Sequence, residues 1–527
     1  MELRTFAERV RRRLARRGLP HRRYVAEQRI RFVDVNGVFR YLVPRHPFDN
    51  LDAARENLDL AVELLQAADV EAFLVVAPTA EGAKLGIAQA DLPRLLEASE
   101  EVAGRRPFYL RATRVNGQEQ AGLAYTKLRN GLDDAVELQV FFEYLEPRTE
   151  QRFGRRYACI IEVWAEDEEG TWHAPSLNTY TSALYPEARR ETVHVEVLGR
   201  RHPTFETFAS PRVTDVRFPV DAVYLWVDGH EPAWQERREL RARSMSQTPA
   251  GDALSPVRFE QSDELRYSLR SLVRYAPWIR RIFIVTDQQR PAWLLEDPGT
   301  LDLVDHRDIL PLDHLPTFNS HAITAAVHRI DDLADRFLLF NDDMLLGRPV
   351  DPEDFFFANG ATKFFTSRSA LPAGPRREGE SPLIAARKHS RDIIHQRTGL
   401  APGFGFKHSP YAMDRELLEE LERDVPEWKS TMASPFRSGE DIVPEWLHHY
   451  LGFHHRRAFP STLDYAYFDI GSRSSMQRLP SLVSRARRPA TYCVNDATES
   501  DVGWERRHES LQRTLQQLAP RPSRYEA

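Results

Sequence analysis

The feature that most constrains the fold is a series of short apolar segments that each end at a carboxylate. Phe337–Phe340 is continuously apolar and is followed at once by Asn341-Asp342-Asp343. A run of this kind is typical of a strand that is buried on both faces of a parallel sheet. The same pattern recurs in three earlier segments, at 220–227 before Asp228, at 282–286 before Asp287 and at 301–304 before Asp305. Because helical segments separate these strands, we predict a Rossmann-like α/β domain with a mixed sheet, with the carboxylates along one edge.

The length of 527 residues predicts two or three domains, because one compact core rarely grows this large. We assign an Arg-rich tail to residues 1–28 and a smaller α+β domain to residues 29–205. The latter mixes strands and helices without regular alternation. Residues 216–527 form the predicted catalytic domain, in which residues 372–400 are rich in Pro, Gly and charge and are predicted to be a partly mobile loop.

Composition narrows the class of protein. With 42% hydrophobic and 28% charged residues, the chain is typical of soluble proteins. No apolar stretch approaches the ~20 residues of a membrane span. The two cysteines, Cys159 and Cys493, lie far apart without metal-ligand spacing, which argues against a disulfide scaffold and a structural zinc site and favours the cytoplasm. A net charge of −6 argues against nucleic-acid binding. The eight arginines between Glu8 and Arg23 fit either a solvated, partly helical tail or an arm that contacts an anionic membrane surface, such as the inner membrane face, or a polyanionic product.

The adjacent carboxylates Asp342 and Asp343 repel each other unless a cation lies between them and a substrate. Mg²⁺ and Mn²⁺ take oxygen ligands, and they commonly bind protein carboxylates and substrate phosphates at the same time. The sequence contains neither of the common Gly-rich phosphate loops, so metal and arginines would have to neutralise a bound diphosphate. The alternative is that Asn341-Asp342-Asp343 only forms a turn, for which these residue types are suited.

Further candidates lie at the ends of the neighbouring elements. Trp226 lies at the end of the first strand, and Asp228 and Gly229 follow it. Asp228 either contacts a nucleotide or a metal-bound water, or forms an ordinary turn with Gly229. Arg266 is nearest the start of a predicted helix 263–275 and is the best placed phosphate ligand of that helix. Arg270, one turn further along, is expected to belong to a solvated basic stripe.

Two histidines are candidates for proton transfer. His321 lies in the first turn of a predicted helix 321–334, for which Asn319 or Ser320 is the expected cap. His408 follows a Gly-rich segment in Lys407-His408-Ser409-Pro410. Further along the chain, Arg437 with Glu440-Asp441 fits either a site or a surface ion pair.

Taken in order, these segments resemble the four characteristic regions of the Stealth family of sugar-1-phosphate transferases. The first is 221–229, the second runs from Asp263-Glu264-Leu265-Arg266 to Gly347, the third runs from Lys407 to Asp441, and the fourth comprises Asn495-Asp496 and the segment 522–526. The family includes bacterial capsule polymerases and the animal enzyme that adds GlcNAc-1-phosphate to lysosomal glycoproteins. The resemblance covers residues 216–527 and leaves residues 1–210 without an assigned role.

The resemblance implies an enzyme that transfers a hexose-1-phosphate, most commonly GlcNAc-1-phosphate from UDP-GlcNAc, to a glycan hydroxyl and releases UMP. It also implies roles for the candidate residues. Asp343, with Asp342 or Asn341, would hold Mg²⁺ or Mn²⁺, and Arg266 and Arg437 would stabilise the transferred phosphoryl oxygens. His408 would be the general base, with His321 as the second choice. Asp228 would contact the nucleotide or fix the geometry of the site. The residues expected to bind substrate are Trp226, Gly229, Asn319, Ser320, Asn341 and Asp441.

Two alternatives remain open from the sequence. A metal-dependent glycosyltransferase would share the sheet and the carboxylates but would release UDP, and a glycan-binding protein that keeps the fold would show no turnover. The expected partners are a nucleotide-sugar donor and a glycan acceptor, without nucleic acid. Homo-oligomerisation and peripheral contact of a cytoplasmic enzyme with the inner membrane are also left open.

Overall fold

The computed structural model describes residues 30–35, 38–76, 82–128, 131–176, 178–245, 259, 262–484, 488–495 and 503–527. The predicted Arg-rich tail and Asp496 of the fourth region lie outside these residues. The chain divides into two compact units, Met1–Pro211 with Ser484–Ala486, and Arg212–Val483 with Arg487–Ala527. Within the described ranges, no helix has both the length and the apolar character needed to cross a bilayer.

The first unit mixes antiparallel and parallel strands with two long helices. Its strands are β1 (Arg31–Val35), β2 (Val38–Pro44), β3 (Phe73–Val76), β4 (Lys84–Ala88), β5 (Tyr109–Arg114), β6 (Glu119–Leu123), β7 (Ala135–Phe141), β8 (Tyr144–Leu145), β9 (Arg152–Phe153), β10 (Cys159–Glu166), β11 (Trp172–His173), β12 (Ala183–Leu184), β13 (Thr192–Val197) and β14 (Arg200–Phe205). Its helices are α1 (Asn50–Ala67), α2 (Leu92–Arg105), α3 (Ala124–Lys127) and α4 (Glu206–Ala209).

An eight-stranded sheet forms the centre of this unit, with the order β12-β11-β10-β7-β5-β6 and with β4 pairing to both β10 and β3. Helix α1 begins with a capping box in which Asp49 and Asp52 each accept a hydrogen bond from the other's backbone N–H. Leu58 and Leu64 of α1 are buried in one apolar core with Ile161 of the sheet. Strand β1 pairs antiparallel with β2.

The second unit contains the predicted α/β sheet. Its strands are β15 (Val220–Leu225), β16 (Ile282–Thr286), β17 (Leu301–Asp305), β18 (Arg336–Asn341), β19 (Met344–Leu346), β20 (Thr362–Phe364), β21 (Thr366–Ala370), β22 (Phe404–Phe406), β23 (Tyr411–Asp414), β24 (Ala458–Pro460), β25 (Tyr465–Asp469) and β26 (Thr491–Asn495). Its helices are α5 (Pro232–Ser244), α6 (Glu264–Tyr275), α7 (His306–Ile309), α8 (Ser320–Thr324), α9 (Pro382–Thr398), α10 (Arg415–Asp424), α11 (Pro426–Met432), α12 (Pro444–His454), α13 (Arg473–Arg478), α14 (Ser481–Ser484) and α15 (Trp504–Leu518).

The central sheet has the order β17-β16-β15-β18-β23. The first four strands are parallel and β23 is antiparallel to β18. Phe337, Leu338, Leu339 and Phe340 are all buried, as the apolar run predicts for a strand covered on both faces. Leu225 pairs with Asn341, so the loop that begins at Trp226 starts beside the Asn341–Asp343 turn. The mixed α/β fold and the shared edge of carboxylates are therefore confirmed.

Helix α6 is fixed to the sheet by polar contacts in an otherwise apolar interface. The Tyr224 hydroxyl lies 2.9 Å from Ser268 Oγ, and the Ser268 hydroxyl donates to the carbonyl of Met344. One turn later, Ser271 Oγ accepts from the Leu346 backbone N–H at 2.9 Å. Buried hydrogen bonds of this kind are costly to leave unmade, so they define one position for the helix. The first turn of α6 is thereby held near the end of β18.

A separate three-stranded sheet, β19-β26-β25, lies directly after the Asp342-Asp343 turn in the chain. Met344 pairs with Cys493 across β19 and β26, and Cys493 pairs with Tyr467 across β26 and β25. The Val494 backbone N–H also donates to the Asp343 carbonyl at 3.0 Å. These pairings place Cys493 beside Asp343, although the two residues are far apart in sequence.

Two predicted elements are wrong. The predicted helix 321–334 consists of the five-residue α8 and a separate 3₁₀ turn, Val327–Arg329. The Ala325 carbonyl accepts from the Trp428 indole N–H at 2.8 Å. It is therefore engaged by a side chain rather than by the backbone N–H four residues later, and the helix stops early. The predicted mobile loop 372–400 contains the 17-residue helix α9, which begins with Pro382 in its first turn and ends at Gly399 in the left-handed region.

Candidate active site

Three side chains that can bind metal converge at the end of β18. Asp343 Oδ2 lies 3.2 Å from Cys493 Sγ and 3.5 Å from His408 Nδ1. His408 Nδ1 in turn lies 3.1 Å from Cys493 Sγ. We call Asp343, His408 and Cys493 the edge trio. Asp343 comes from the β18–β19 turn, His408 from the segment between β22 and β23, and Cys493 from β26, so three separate parts of the chain supply it.

Asn341 orients the ring of His408. The Asn341 Nδ2 atom lies 2.8 Å from His408 Nε2. If the amide donates, Nε2 is the basic nitrogen and Nδ1 carries the proton, which then points at Cys493 Sγ and Asp343 Oδ2. The Cys493 thiol donates to Asp343 Oδ2. This chain of contacts resembles other sites in which a carboxylate stabilises the charged form of a histidine whose second nitrogen takes a proton.

Cys493 is not poised as a nucleophile. Its side chain is fully buried. Burial raises the pKa of the Cys493 thiol well above its usual value, and the charge and hydrogen-bond acceptance of Asp343 raise it further. Reactive thiols show the opposite shift, because a neighbouring cation or helix N-terminus stabilises their thiolate. The thiol therefore acts as a hydrogen-bond donor to Asp343 in this arrangement.

Glu264, the first residue of α6, joins Asp342 and Asp343 in a carboxylate cluster. Burial raises the pKa of Glu264 to about 8, with a further contribution from the charge of Asp342 and a smaller one from Asp343. The Ser262 backbone N–H donates to Glu264 Oε2 at 2.6 Å and partly offsets this rise. Ionised carboxylates that raise one another's pKa in this way are mutually unfavourable without a cation.

The oxygens of this cluster suit the predicted Mg²⁺ or Mn²⁺. Asp343 Oδ1 is buried and has no hydrogen-bond partner among the described residues. A buried anionic oxygen without a partner is costly, and a cation would satisfy it. Asp343, Asp342 and Glu264 offer the hard oxygen ligands that these ions prefer, whereas the Cys493 sulfur does not. The residues present therefore fit the ion, with Asp343 the best supported ligand.

Tyrosine side chains surround the edge trio. Tyr411 and Tyr465 belong to β23 and β25, and Tyr467 pairs with Cys493 in the three-stranded sheet. Burial raises the pKa of all three hydroxyls, and the charges of Asp343 and Cys493 raise them further. Only Tyr467 is substantially exposed, with 42% of its surface accessible. All three hydroxyls therefore lie close enough to the trio to be affected by the charge of Asp343.

A second group of predicted residues meets at the start of α8. Asn319 caps this helix by accepting from the His321 backbone N–H at 3.1 Å, which confirms the predicted cap. Asn319 Nδ2 donates to Asp441 Oδ2 at 2.9 Å, and His321 Nδ1 lies 3.6 Å from the same oxygen. Arg437 donates to Ser320 Oγ at 2.6 Å. The structure thus brings Asn319 and His321 to the buried carboxylate of Asp441 and pairs Arg437 with Ser320 at the start of the same helix.

The loop after β15 is held in a fixed path. The Asp228 backbone N–H donates to Gln289 Oε1 at 2.9 Å, and Asp228 Oδ1 accepts from the His230 backbone N–H at 2.9 Å. The Trp226 side chain is 9% exposed. At Gly229 an added Cβ would lie 2.1 Å from the carbonyl oxygen of Phe259, so no larger residue fits without movement. Asp228 thus forms a turn through Oδ1. The other carboxylate oxygen of Asp228, Oδ2, takes no part in that turn.

The arginines of α6 bind a carboxylate of the protein. Arg266 Nε donates to Glu526 Oε2 at 2.6 Å, and Arg270 makes a bidentate pair with Glu526 at 2.8 and 2.6 Å. The predicted solvated stripe is wrong at Arg270, whose side chain is 5% exposed. Arg266 remains 29% exposed beside the same carboxylate. Its predicted role as a phosphate ligand is not tested by this contact.

Two residues of the site were missed by the sequence analysis. No other potential metal ligand lies at a suitable spacing from Cys493 in the sequence. Its approach to His408 depends on a pairing of strands that sequence spacing does not reveal. Its position two residues before Asn495-Asp496, in the fourth family-like region, was the available signal. Glu264 is not among the predicted site residues, although the adjacent pair Asp263-Glu264 lies within the second region.

Comparisons with known proteins identify the family of this chain. Family models for Stealth conserved regions 1, 2 and 3 match residues 218–246, 258–364 and 407–452. The matched ranges include Asp228, Glu264, Asp343 and His408. A curated protein of Streptomyces coelicolor, named exopolysaccharide phosphotransferase, is 37% identical over 503 residues, which are 92% of this chain and 85% of the relative. The chain belongs to the Stealth family.

Further relatives carry the same name. A second exopolysaccharide phosphotransferase of Streptomyces coelicolor is 36% identical over 90% of both chains. The exopolysaccharide phosphotransferase CpsY of Mycobacterium tuberculosis is 32% identical over 71% of this Stealth chain and 70% of its own. Among solved structures, the galactosyltransferase LgtC in complex with donor and acceptor analogues covers 58% of this chain and 96% of its own, with 11% identity and a TM-score of 0.30.

Proposed function

We propose that this Stealth-family enzyme transfers a hexose-1-phosphate, with UDP-GlcNAc as the donor, to a hydroxyl of a glycan acceptor and releases UMP. The relatives' name supports phosphotransfer in exopolysaccharide synthesis. The observation that carries the proposal is the edge of β18, where an incompletely satisfied carboxylate, Asp343, lies 3.5 Å from the imidazole of His408. A hydroxyl and a diphosphate are the groups that such a pair can activate and hold.

The reaction forms one phosphorus–oxygen bond and breaks another. The acceptor hydroxyl oxygen attacks the phosphorus that carries the sugar, and the phosphoanhydride bond to UMP breaks with its electron pair on UMP. The hydroxyl proton moves to His408 Nε2, where the acceptor replaces the Asn341 amide as the donor. Asp343 Oδ2 and the Cys493 sulfur face Nδ1 and stabilise the imidazolium that forms. The products are a glycan phosphodiester and UMP.

The remaining residues act by position and charge. Asp343, with Asp342 and Glu264, would hold Mg²⁺ or Mn²⁺, which supplies charge neutralisation for the diphosphate when it is bound. Arg266, partly exposed beside Glu526, and Arg437, beside Ser320, are the cations we assign to phosphoryl oxygens. His321 stays with Asp441 and supports the start of α8. Asp228, with Trp226 and Gly229, binds the nucleotide from the neighbouring loop.

Phosphorus NMR separates this reaction from its alternatives. The full chain is incubated with UDP-GlcNAc, Mg²⁺ and candidate glycan acceptors, and the products are followed in time. We expect UMP together with a phosphodiester resonance. Release of UDP would contradict the proposal and indicate a glycosyltransferase, because that enzyme breaks the glycosidic bond instead. Binding of UDP-GlcNAc without any turnover on any acceptor would indicate a non-catalytic glycan-binding protein.

A further inference from the structure

The edge trio has a donor set that differs from the carboxylate cluster beside it. Asp343 offers an oxygen, His408 a nitrogen and Cys493 a sulfur, and all three ligand atoms lie within 4.8 Å of one another. Oxygen ligands select hard ions such as Mg²⁺, whereas thiolate and imidazole select Zn²⁺ and other thiophilic ions. We propose that Asp343, His408 and Cys493 form an inhibitory binding site for a thiophilic divalent cation, for which Zn²⁺ is the best match.

The distances within the trio support this assignment. Tetrahedral zinc with bonds of about 2.0–2.3 Å keeps its ligand atoms about 3.4–3.6 Å apart. The three separations in the trio are 3.1 Å between Nδ1 and Sγ, 3.2 Å between Sγ and Oδ2, and 3.5 Å between Nδ1 and Oδ2. Each pair therefore needs to move by only about half an ångström or less to reach a zinc geometry.

The surroundings hold the ligands in place. Cys493 is fixed in the middle of β26 by its pairings with Met344 and Tyr467. Asn341 contacts the far nitrogen of His408 at 2.8 Å and so turns Nδ1 toward the trio. Metal-bound histidines commonly have such a partner on the nitrogen that does not bind the ion. Three protein ligands leave a fourth position for water, which is the pattern of zinc sites that remain open.

Binding would rearrange protons without any redox step. The Cys493 thiol loses its proton to solvent and binds as thiolate. His408 binds through Nδ1, so its proton resides on Nε2 and is donated to the Asn341 side-chain oxygen after rotation of the amide. His408 can then no longer accept a proton at Nε2. Zinc should therefore inhibit sugar-phosphate transfer, a consequence that rests on the proposed function, whereas the binding itself does not.

Cobalt spectroscopy tests the site without any substrate. The full chain is titrated with Co²⁺, and a thiolate-to-cobalt charge-transfer band in the near ultraviolet is expected at one equivalent. Cys493→Ser should lose the band, whereas Cys159→Ser, which alters the other buried cysteine, should keep it. Thermal midpoints establish that both variants are folded. Absence of the band in the unaltered chain, or its persistence in Cys493→Ser, would overturn the proposal.

Zinc affinity provides the second measurement, by competition with a chelating dye. Cys493→Ser should weaken Zn²⁺ binding by at least tenfold. Asn341→Ala keeps all three ligands, so it should keep the cobalt band but bind Zn²⁺ about tenfold more weakly, as loss of a histidine's supporting contact does. Equal affinity in all variants would reject the trio as the site. Because no sugar nucleotide is present, these results stand apart from the outcome of the phosphorus NMR experiment.

Discussion

At the scale of single residues, Asp343 has two oxygens with different surroundings. Oδ2 accepts from Cys493 and lies near His408, whereas Oδ1 is buried without a partner among the described residues. Replacing Asp343 by Asn keeps the shape but removes the charge that a cation and an imidazolium would use. We expect Asp343→Asn to lower UMP release by about a thousandfold or more, several kcal/mol of transition-state stabilisation.

The same substitution should leave the thermal midpoint nearly unchanged, because it also relieves repulsion with Asp342 and Glu264. The matched control is Asp302→Asn, which removes a carboxylate from β17, the outermost strand of the same sheet. Asp302 pairs there with Arg281 at 2.7 Å. That variant should keep full activity. Unfolding of Asp343→Asn would mean that this carboxylate is structural, which contradicts the assignment.

His408 carries the proton transfer in the proposed reaction. Gln at this position can still hydrogen-bond to Asn341 but cannot take the acceptor's proton. We expect His408→Gln to lower kcat by about 10²–10⁴-fold, the usual size of general-base catalysis, while KM for the donor changes little. Steady-state assays of UMP release over a range of pH give both constants. A rise in donor KM with an unchanged kcat would assign His408 to binding rather than to catalysis.

At the scale of elements, the loop from β15 to α5 has no room for a side chain at Gly229. An added Cβ would meet the Phe259 carbonyl at 2.1 Å. We expect Gly229→Ala to shift the Asp228 turn, raise the donor KM by about tenfold and lower the thermal midpoint by a few degrees. Gly403→Ala is the control, since nothing lies within 4 Å of its Cβ position. Equal kinetics in the two variants would separate this loop from donor binding.

The elements also show what could be predicted from the sequence. The four parallel strands were predictable because burial on both faces requires uninterrupted apolar runs, such as Phe337–Phe340. Asp342, Asp343 and His408 could be named as candidates because carboxylates bind cations and histidine transfers protons near neutral pH. Cys493 could not be predicted from spacing, since pairing between β19 and β26 brings it to Asp343 across 150 residues. The end of α8 likewise depends on a tertiary contact, the hydrogen bond from the Trp428 indole to the Ala325 carbonyl.

Helix α9 was missed for a different reason. Its buried positions include Lys388 and Ser390 together with Ala385 and Ile393, so the helical apolar period is weak. Lys388 is buried because Glu380 pairs with it at 2.5 Å. The signals that do mark this helix, Pro382 at its start and Gly399 after its end, were interpreted as loop residues. The residues at the helix ends therefore predict this helix better than the composition of the segment does.

At the scale of the whole second unit, the segment 522–527 closes onto α6 and the loop before β17. Tyr525 is buried, and its carbonyl accepts from the Leu295 backbone N–H at 3.0 Å. Glu526 binds both Arg266 and Arg270. Because Glu264 begins the same helix, these contacts fix the segment of α6 that also carries a carboxylate of the candidate site. The stability of the unit and the geometry of its site thus depend on one buried charge cluster.

That cluster predicts how stability changes with pH. Burial of Glu526 opposes its ionisation, but hydrogen bonds from Arg270, the Ser523 backbone and Arg266 outweigh burial and lower its pKa to about 2. A carboxyl whose pKa is lower in the folded chain stabilises it above the unfolded value of 4.5, and this contribution is lost as pH falls from about 4.5 toward about 2.

Glu526→Gln should therefore lower the free energy of unfolding at pH 7 by about 3 kcal/mol, because it leaves two arginines without their buried partner. The difference from the unaltered chain should shrink as the pH approaches 3, where Glu526 itself begins to protonate. Urea denaturation followed by tryptophan fluorescence at pH 7, 5 and 3 measures both effects. Glu239→Gln, which breaks an exposed pair with Arg243 on α5, should change stability by no more than about 0.5 kcal/mol at any pH. A Glu526→Gln variant that matches this control at pH 7 would show that the arginine cluster does not support the unit.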